Sequence, residues 1–229
     1  MGAGSFVQEV SVVDDDRQVA DFLDVLLTNA GFTVTAFGSA LGFLNSPSLP
    51  HCACLVVNLT LREMSALELQ LTLRHLNALC RVVFISDPES VRDSVRAMKL
   101  GAFNVLARPV NTEILISTVR AALADHFSSQ RKYNELSAFG RRWATLTSRE
   151  QQVFELVATG WSNKQVAAAL RITDRTVKGH RSSAMEKMKA RRITDAVRML
   201  QDLSRHEQVC GQGYRVSEGG TLESLYRQA

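Results

Sequence analysis

The 229-residue sequence contains no apolar run that approaches the roughly 18 residues needed to cross a membrane. Its first residues, Met-Gly-Ala-Gly-Ser-Phe, lack the basic segment and apolar core of a secretory signal. These absences argue against the membrane-spanning and secreted classes. They predict a cytoplasmic protein that has no membrane partner.

Cysteine is scarce: the chain has four, and their spacing matches neither a disulfide framework nor a zinc site. His51, Cys52 and Cys54 are close enough in sequence for a metal site to be considered. Cys54, however, opens an apolar stretch, Cys-Leu-Val-Val, in which a small buried thiol fits a β-strand. We therefore expect a buried cysteine here, and neither a metal nor another cofactor.

A strong excess of one charge is also missing from the whole chain, whose formal net charge is +4. Residues 1–140 carry 11 Lys and Arg against 14 Asp and Glu, a net charge of −3. Residues 141–203 carry 13 against 6, a net charge of +7. A basic segment of this kind fits a polyanionic partner such as nucleic acid, although a solvated basic surface would give the same count.

The first part of the chain, residues 1–126, alternates short apolar stretches with amphipathic ones. The strand candidates are Val7–Val13, Thr33–Phe37, Cys54–Val57, Val82–Ser86 and Asn104–Ala107. Helical patterns follow them at Arg17–Ala30, Ser39–Asn45, Ala66–His75, Ser90–Leu100 and Thr112–His126. This alternation predicts a doubly wound, five-stranded parallel sheet with helices on both faces. Functional residues in such folds lie beyond the carboxyl ends of the strands, where this chain has Asp14–Asp16, Asn58, Ser86 and Arg108.

The second part of the chain has helical patterns only. Residues 127–143 are polar with a few apolar points and predict a helical linker. Four helices, at Ser148–Thr159, Ser162–Leu170, Asp174–Met188 and Thr194–Leu203, then predict an all-α domain over residues 144–203. Residues 204–229 are rich in Gly, Ser and Gln and lack periodicity, so we expect a flexible or loosely docked tail.

Several of these helices carry explicit start and end signals. Thr147 with Glu150 three residues later fits a capping box, and Gly160 fits the residue that follows a helix end. The third helix is expected to be capped by Asp174 or Thr173.

The third helix has two different faces. Val177, Ala184, Met185 and Met188 form an apolar face that is predicted to point inward. Polar and small residues occupy the opposite face: Arg175, Lys178, Gly179, Ser182 and Lys189. A glycine inside a helix costs about 1 kcal/mol relative to alanine. Gly179 either lets the backbone approach a DNA groove closely or is merely tolerated, and the sequence leaves both alternatives open.

The helical domain resembles the LuxR-type DNA-binding domains. The matching segments, in register and without gaps, include Leu146-Thr-Ser-Arg-Glu150, Ala158-Thr-Gly-Trp-Ser-Asn-Lys164, Thr176-Val-Lys-Gly-His-Arg181 and Lys187-Met-Lys-Ala190. The resemblance implies a helix-turn-helix whose recognition helix, Asp174–Met188, enters the major groove of double-stranded DNA. The last helix, Thr194–Leu203, resembles the one through which such domains pair, which implies a homodimer on a pseudo-palindromic operator.

The same resemblance assigns roles to individual side chains. Lys178, Gly179 and Ser182 match positions that face base edges. The residues expected to hold phosphates are Asn163, Lys164, Thr176 and Arg181, and Arg175 completes the predicted DNA-binding set.

Residues 7–126 resemble the receiver domain of response regulators, which implies a flavodoxin-like fold, and the two domains together resemble FixJ- and NarL-type regulators. Asp14 and Asp15 match the acidic pair of a receiver, Ser86 its hydroxyl position and Arg108 its lysine position. Asn58, however, stands where the resemblance requires the aspartate nucleophile. A neutral amide cannot carry the acyl phosphate that a receiver forms, so phosphorylation at this position is excluded.

Further departures indicate a receiver that has lost its phosphorylation site. Val105 occupies the position of the switch aromatic, Arg62 that of the loop proline and Ala66 that of its glycine. With one carboxylate missing, we expect at most weak Mg²⁺ binding. Arg108 is expected to pair with one or both remaining carboxylates and to hold the pocket in one conformation. The alternative for the acidic run is a solvated helix N-terminus.

The sequence thus predicts a phosphorylation-independent transcriptional regulator and not an enzyme. Its atypical receiver would dimerise through the surface from Ser90–Leu100 to Asn104–Ala107, or respond to a protein or small-molecule effector. The alternative is a protein-interaction module that modulates another regulator and binds DNA only secondarily. A catalytic role lacks a nucleophile and any Ser/His/Asp or zinc constellation.

Overall fold

The structure is a computed structural model that describes residues 9–76, 78–195 and 197–198. The described residues form two compact units that divide between Lys132 and Tyr133, each with its own hydrophobic core. Within the described ranges, no helix is both long enough and apolar enough to cross a membrane.

The first unit is built on the predicted five-stranded parallel sheet, with strand order β2-β1-β3-β4-β5. The strands are β1 (Glu9–Val13), β2 (Thr33–Phe37), β3 (Cys54–Asn58), β4 (Arg81–Ser86) and β5 (Asn104–Ala107). The three central strands are almost wholly buried, as expected for Val-rich strands that are covered on both faces. Because all strands run in the same direction, their carboxyl ends meet at one edge of the sheet.

Helices cover both faces of this sheet, and the doubly wound prediction is confirmed. They are α1 (Arg17–Asn29), α2 (Ala40–Leu44), α3 (Ala66–His75), α4 (Val91–Lys99) and α5 (Thr112–Trp143), with a 3-10 turn at Leu49–His51. One core cluster joins the sheet to α1 and α5, through Leu27 and Leu115 for example. The other joins it to α2, α3 and α4, where Phe43, Leu69 and Ala97 are fully buried.

Helix α5 continues without interruption through residues 127–143 and is 32 residues long. The backbone N–H groups of Glu113 and Ile114 donate to Asn111 Oδ1, which begins the helix. No proline follows within the helix, so its hydrogen-bond ladder remains unbroken. The segment that the sequence predicts as a helical linker, residues 127–143, is therefore helical.

The second unit contains α6 (Ser148–Ala158), α7 (Asn163–Leu170) and α8 (Asp174–Lys187). The capping box of Thr147 and Glu150 is formed, and Gly160 adopts φ +96° after the end of α6. The cap of α8 is Thr173, whose hydroxyl accepts from the Thr176 N–H. Of the two alternatives left open at this cap, Asp174 is thereby excluded.

The inward face predicted for α8 is confirmed, since Val177, Ala184 and Met188 are completely buried and Met185 is partly buried. Most of the helix predicted at Thr194–Leu203 and the whole tail at residues 204–229 lie outside the described residues.

Candidate functional site

The carboxyl ends of the strands bring together the residues that the sequence placed in a degenerate receiver pocket. Asp14 follows β1, Asn58 ends β3, Ser86 ends β4 and Arg108 follows β5. Adjacent parallel strands in register, such as Val57 beside Phe84, set these positions. The pocket is therefore assembled by the sheet.

Asp14 is the centre of this pocket and is only 1% exposed. Its Oδ1 accepts from the Asp16 N–H at 3.0 Å and from Asn58 Nδ2 at 3.3 Å. Its Oδ2 accepts from Arg108 Nη2 at 3.2 Å. A buried carboxylate is costly unless it is paired and hydrogen-bonded, and here both oxygens are engaged by residues of the protein.

The three acidic residues after β1 have three different environments. Asp15 contacts Arg62, whose backbone N–H donates to Asp15 Oδ2 at 3.2 Å and whose Nε lies 3.3 Å from it. Asp16 is exposed and caps α1 by accepting from the Gln18 N–H at 2.9 Å. The alternative of a solvated helix N-terminus therefore applies to Asp16, whereas Asp14 belongs to the pocket.

Arg108 makes a second ion pair at the rim of the pocket. Its Nε lies 3.5 Å from Asp87 Oδ1, and its backbone N–H donates to the Ser86 carbonyl. The arginine thus contacts one carboxylate of the predicted pair, Asp14, together with Asp87, which the sequence reasoning missed. Asp15 is paired with Arg62 instead. Its position directly after β4, at the carboxyl end of a strand, could have identified Asp87 as a pocket residue.

The Ser86 hydroxyl makes hydrogen bonds to groups other than Asp14. It donates to the Asp87 carbonyl and lies 3.0 Å from Ser94 Oγ on α4. Ser94 is a further member of this polar cluster that the sequence reasoning did not single out. Ser86 therefore links the end of β4 to α4.

The donor set of this pocket does not fit a divalent cation. Mg²⁺ prefers hard oxygen ligands in octahedral geometry, usually carboxylates with free lone pairs. Asp14 and Asp15 are each occupied by a guanidinium group, and Asn58 Oδ1 accepts from the Thr60 N–H. The described part of the chain has no cluster of three or more His, Cys, Asp or Glu side chains that would hold a metal.

Beside the pocket, α4 presents an apolar surface. Val91, Val95 and Met98 are exposed, at 66%, 48% and 47%, and with Val105 they line a shallow groove between α4 and β5. Val105 is smaller than the aromatic residue that a receiver has at this position. The surface coincides with the dimer face expected from the sequence.

The second unit presents the predicted DNA-binding residues on the outer face of α8 and at the start of α7. Arg175, Thr176, Lys178, Gly179 and Ser182 are all exposed. A Cβ atom added at Gly179 would meet no atom within 4 Å. Packing inside the protein therefore does not require glycine at this position.

Side chains of α7 and α8 are held together close to this face. Arg181 Nη1 donates to Asn163 Oδ1 at 3.0 Å, while Lys164 is exposed at the start of α7. Lys178 Nζ lies 2.9 Å from Asp174 Oδ2 within α8, in an exposed pair that contributes little to stability.

A shallow depression joins four of the predicted DNA-binding residues, namely Asn163, Lys178, Arg181 and Ser182. Arg191 also lines it, and the sequence reasoning missed this cation. The basic run that ends in Arg191-Arg192 was the available signal.

A buried acidic residue fixes α8 against α6. Glu150 accepts from Lys187 Nζ at 2.7 Å, from Ser183 Oγ at 2.6 Å and from the Thr147 N–H at 2.8 Å. The hydrogen bond from Lys187, followed by that from Ser183, lowers the pKa of Glu150 to about 2. The recognition-helix candidate is thus held in place by an ionised carboxylate.

Comparison with known families and proteins shows similarity over both units. Residues 10–120 match the response regulator receiver domain, and residues 144–200 match the family of bacterial regulatory proteins, luxR family. The response regulator protein TodT of Pseudomonas putida F1 is 36% identical over 196 residues, which cover 85% of this chain and 86% of TodT. The transcriptional regulatory protein FixJ of Azorhizobium caulinodans is 36% identical over 190 residues, with coverages of 83% and 90%.

Solved structures give the same result. The response regulator StyR has a TM-score of 0.75 and 34% identity, and the match covers 84% of this chain and 98% of StyR. Full-length FixJ from B. japonicum has a TM-score of 0.53 and 29% identity, over 86% of this chain and 97% of FixJ.

Proposed function

The chain belongs to the response regulators that carry a LuxR-type DNA-binding domain, and we propose that it regulates transcription without phosphorylation of its receiver. In this proposal the second unit binds a specific duplex DNA sequence. The first unit keeps the receiver fold but is not switched by an aspartyl phosphate.

The observation that carries the proposal is Asn58. This residue ends β3 beside the buried carboxylate of Asp14 and donates to it through Nδ2. An amide nitrogen has no lone pair available for attack on phosphorus, and an amide oxygen would not yield a stable acyl phosphate. The hydrogen bond also uses a donor that an aspartate at this position would lack.

The ion pair between Arg108 and Asp14 supports the same conclusion. A cation held at 3.2 Å from the central carboxylate supplies the positive charge that a receiver would otherwise obtain from a metal. We infer that this pair keeps the pocket in one conformation, so that DNA binding is constitutive or is controlled by another signal.

For DNA recognition we assign α8 to the major groove. Lys178, Gly179 and Ser182 would face base edges, and the bare backbone at Gly179 would allow close approach to the bases. The phosphate contacts would come from Asn163, Lys164, Thr176 and Arg181, with Arg175 at the start of the helix. The Arg181–Asn163 hydrogen bond would orient two of these groups before DNA binds.

We further propose a homodimer on a pseudo-palindromic operator with half-sites about one helical turn apart. The exposed apolar residues of α4, together with β5, are the candidate contact between two receiver-like units. A protein or small-molecule effector that acted on this surface would supply the control that phosphorylation cannot.

Footprints on genomic DNA test the proposal, using wild type and Asn58→Asp, each with and without acetyl phosphate. We expect the same sites and occupancies in all four conditions, because Arg108 still occupies Asp14 in the variant. Asn58→Ala serves as a control for a change of side chain without a nucleophile.

A change of the wild-type footprint on addition of acetyl phosphate would contradict phosphorylation independence. Phosphate-dependent binding by Asn58→Asp alone would show that the rest of the pocket is still competent, and would contradict the role assigned to Arg108.

A further inference from the structure

Two cysteine thiols are in contact at the end of the sheet opposite the receiver pocket. Cys52 Sγ and Cys80 Sγ lie 2.9 Å apart, although they are 28 positions apart in the sequence, and both are free thiols. A disulfide has an S–S distance of about 2.05 Å, so the two sulfur atoms need to approach by less than about 1 Å.

The backbone holds these thiols together. Cys52 lies two residues before β3, and Cys80 immediately precedes β4. The two strands pair with Cys54 opposite Arg81, and the Arg81 N–H donates to the Ala53 carbonyl at 3.0 Å. The pairing of β3 with β4 therefore holds the two thiols close to each other.

The two thiols have unequal environments. Cys52 is buried, whereas Cys80 is half-buried. The hydrogen bond from Cys80 lowers the pKa of Cys52, and burial raises the pKa of Cys80. Among the neighbouring ionisable groups, Glu9 raises the pKa of Cys52, whereas Cys54 raises and Arg81 lowers the pKa of Cys80.

The segment that carries Cys80 also holds α5. Arg81 forms an ion pair with Asp125 and donates to Ser129 Oγ at 2.6 Å. The Leu79 carbonyl lies 3.0 Å from His126 Nδ1. Residues 79–81 therefore contact α5 over more than one turn, near the end of its portion in the first unit.

We propose that Cys52 and Cys80 form a reversible disulfide, and that this oxidation alters the contacts of residues 79–81 with α5. The oxidant is a hydroperoxide. The Cys52 thiolate attacks the peroxide oxygen, which forms a sulfenic acid and releases water or an alcohol after protonation. The Cys80 sulfur then displaces hydroxide from Cys52, which leaves as water with the Cys80 proton. Overall, the two thiols lose two electrons and two protons to the peroxide.

Mass spectrometry of the full-length protein tests the bond. The parent is Cys210→Ser, which prevents Cys210 from competing as a partner. After treatment with hydrogen peroxide we expect a mass lower by about two hydrogen atoms and a cross-linked peptide pair that contains Cys52 and Cys80. Dithiothreitol should reverse both. Cys54→Ala should still form the bond, and Cys80→Ser should not.

Hydrogen exchange tests the consequence for α5. We expect oxidation to change the exchange rates of amides at residues 125–129 in the parent and not in Cys80→Ser. Sulfinic acid or intermolecular links without a Cys52–Cys80 bond in the parent would overturn the proposal, and so would a bond that leaves exchange at residues 125–129 unchanged. Identification of the cross-linked peptides in the parent does not require the Cys80→Ser variant to fold. Neither mass spectrometry nor hydrogen exchange depends on DNA binding.

Discussion

Asn58 and Arg108 bind different oxygens of the same buried carboxylate, Asp14. Both side chains are hydrogen-bond donors, and together with the Asp16 N–H they satisfy a group that is 1% exposed. A buried carboxylate that loses its cation retains its desolvation cost, so the stability of the first unit depends on Arg108.

Arg108→Met tests this dependence at the level of one residue. We expect the free energy of unfolding of the first unit to fall by about 3 kcal/mol, because Asp14 is left buried without its cation. Urea unfolding followed by circular dichroism measures the change.

Arg62→Ala is the matched control, since it removes an arginine whose side chain is 85% exposed from the other carboxylate, Asp15. Its cost should stay below about 1 kcal/mol. If the two variants lost the same free energy of unfolding, the burial of the Arg108–Asp14 pair would not increase its contribution to stability.

Among the helices, α8 combines a buried face with an outer face that contains a glycine. A side chain at position 179 would extend into open space, so packing within the protein does not require a glycine there. The cost of a glycine inside a helix is therefore not offset by a contact within the chain. A partner that approaches the backbone closely would explain it.

Gly179→Ala should therefore have opposite effects on folding and on binding. We expect the second unit to become more stable by about 1 kcal/mol, because alanine favours the helix and meets no steric contact. Affinity for the operator should fall, as measured by fluorescence anisotropy with a labelled duplex. Unchanged affinity would favour the alternative that Gly179 is merely tolerated.

Helices α6 and α8 are joined through Glu150, whose pKa is lowered to about 2, first of all by Lys187. Because the folded-state pKa lies below the usual carboxyl value of about 4.3, this group stabilises the folded state above that value. The contribution is lost as the pH falls from there towards 2.

Glu150→Gln should remove this pH dependence. At pH 7 we expect the variant to lose about 2 kcal/mol, since Lys187 and Ser183 lose an ionised acceptor. Between about pH 4.5 and 2 the wild type should lose stability more steeply than the variant. Denaturant unfolding across this range measures both effects. Glu186→Gln, an exposed change on α8, should alter stability by less than about 0.5 kcal/mol.

Across the whole molecule, charge is divided between the two parts of the chain. The net charge is −3 over residues 1–140 and +7 over residues 141–203, which favours the helical unit as the binding site of a polyanion. Neutralisation of DNA phosphates by this unit should make binding weaken as the salt concentration rises.

Lys178→Ala and Lys164→Ala should separate base recognition from phosphate binding. Lys178→Ala is expected to lower affinity for the operator about tenfold or more and to leave non-specific binding nearly unchanged. Lys164→Ala should weaken both, and should reduce the slope of log affinity against log salt by about 1.

Salt-dependent gel shifts on operator and random duplexes measure these effects. Both lysines are exposed, so neither change should affect folding. If Lys178→Ala abolished operator binding but left regulation in the cell intact, the chain would act as a protein-interaction module.

The amino-acid sequence determined the elements and their order almost alone. Alternating apolar stretches predicted the sheet, and local signals such as Thr147 with Glu150, or Gly160, predicted the helix ends, because caps depend on residues only a few positions apart. It also determined that position 58 carries an amide.

Only the tertiary structure decided which side chains meet. Several contacting pairs are distant in sequence, and no local pattern predicts that their side chains meet. They are Arg62 with Asp15, Asp87 with Arg108, Cys52 with Cys80, and Ser183 and Lys187 with Glu150. Strand register and helix packing bring them within hydrogen-bonding distance. The chemistry of each position was thus readable from the sequence, and so was the pairing of Arg108 with Asp14, whereas the partners of Arg62, Asp87 and Lys187 depended on how the chain folds.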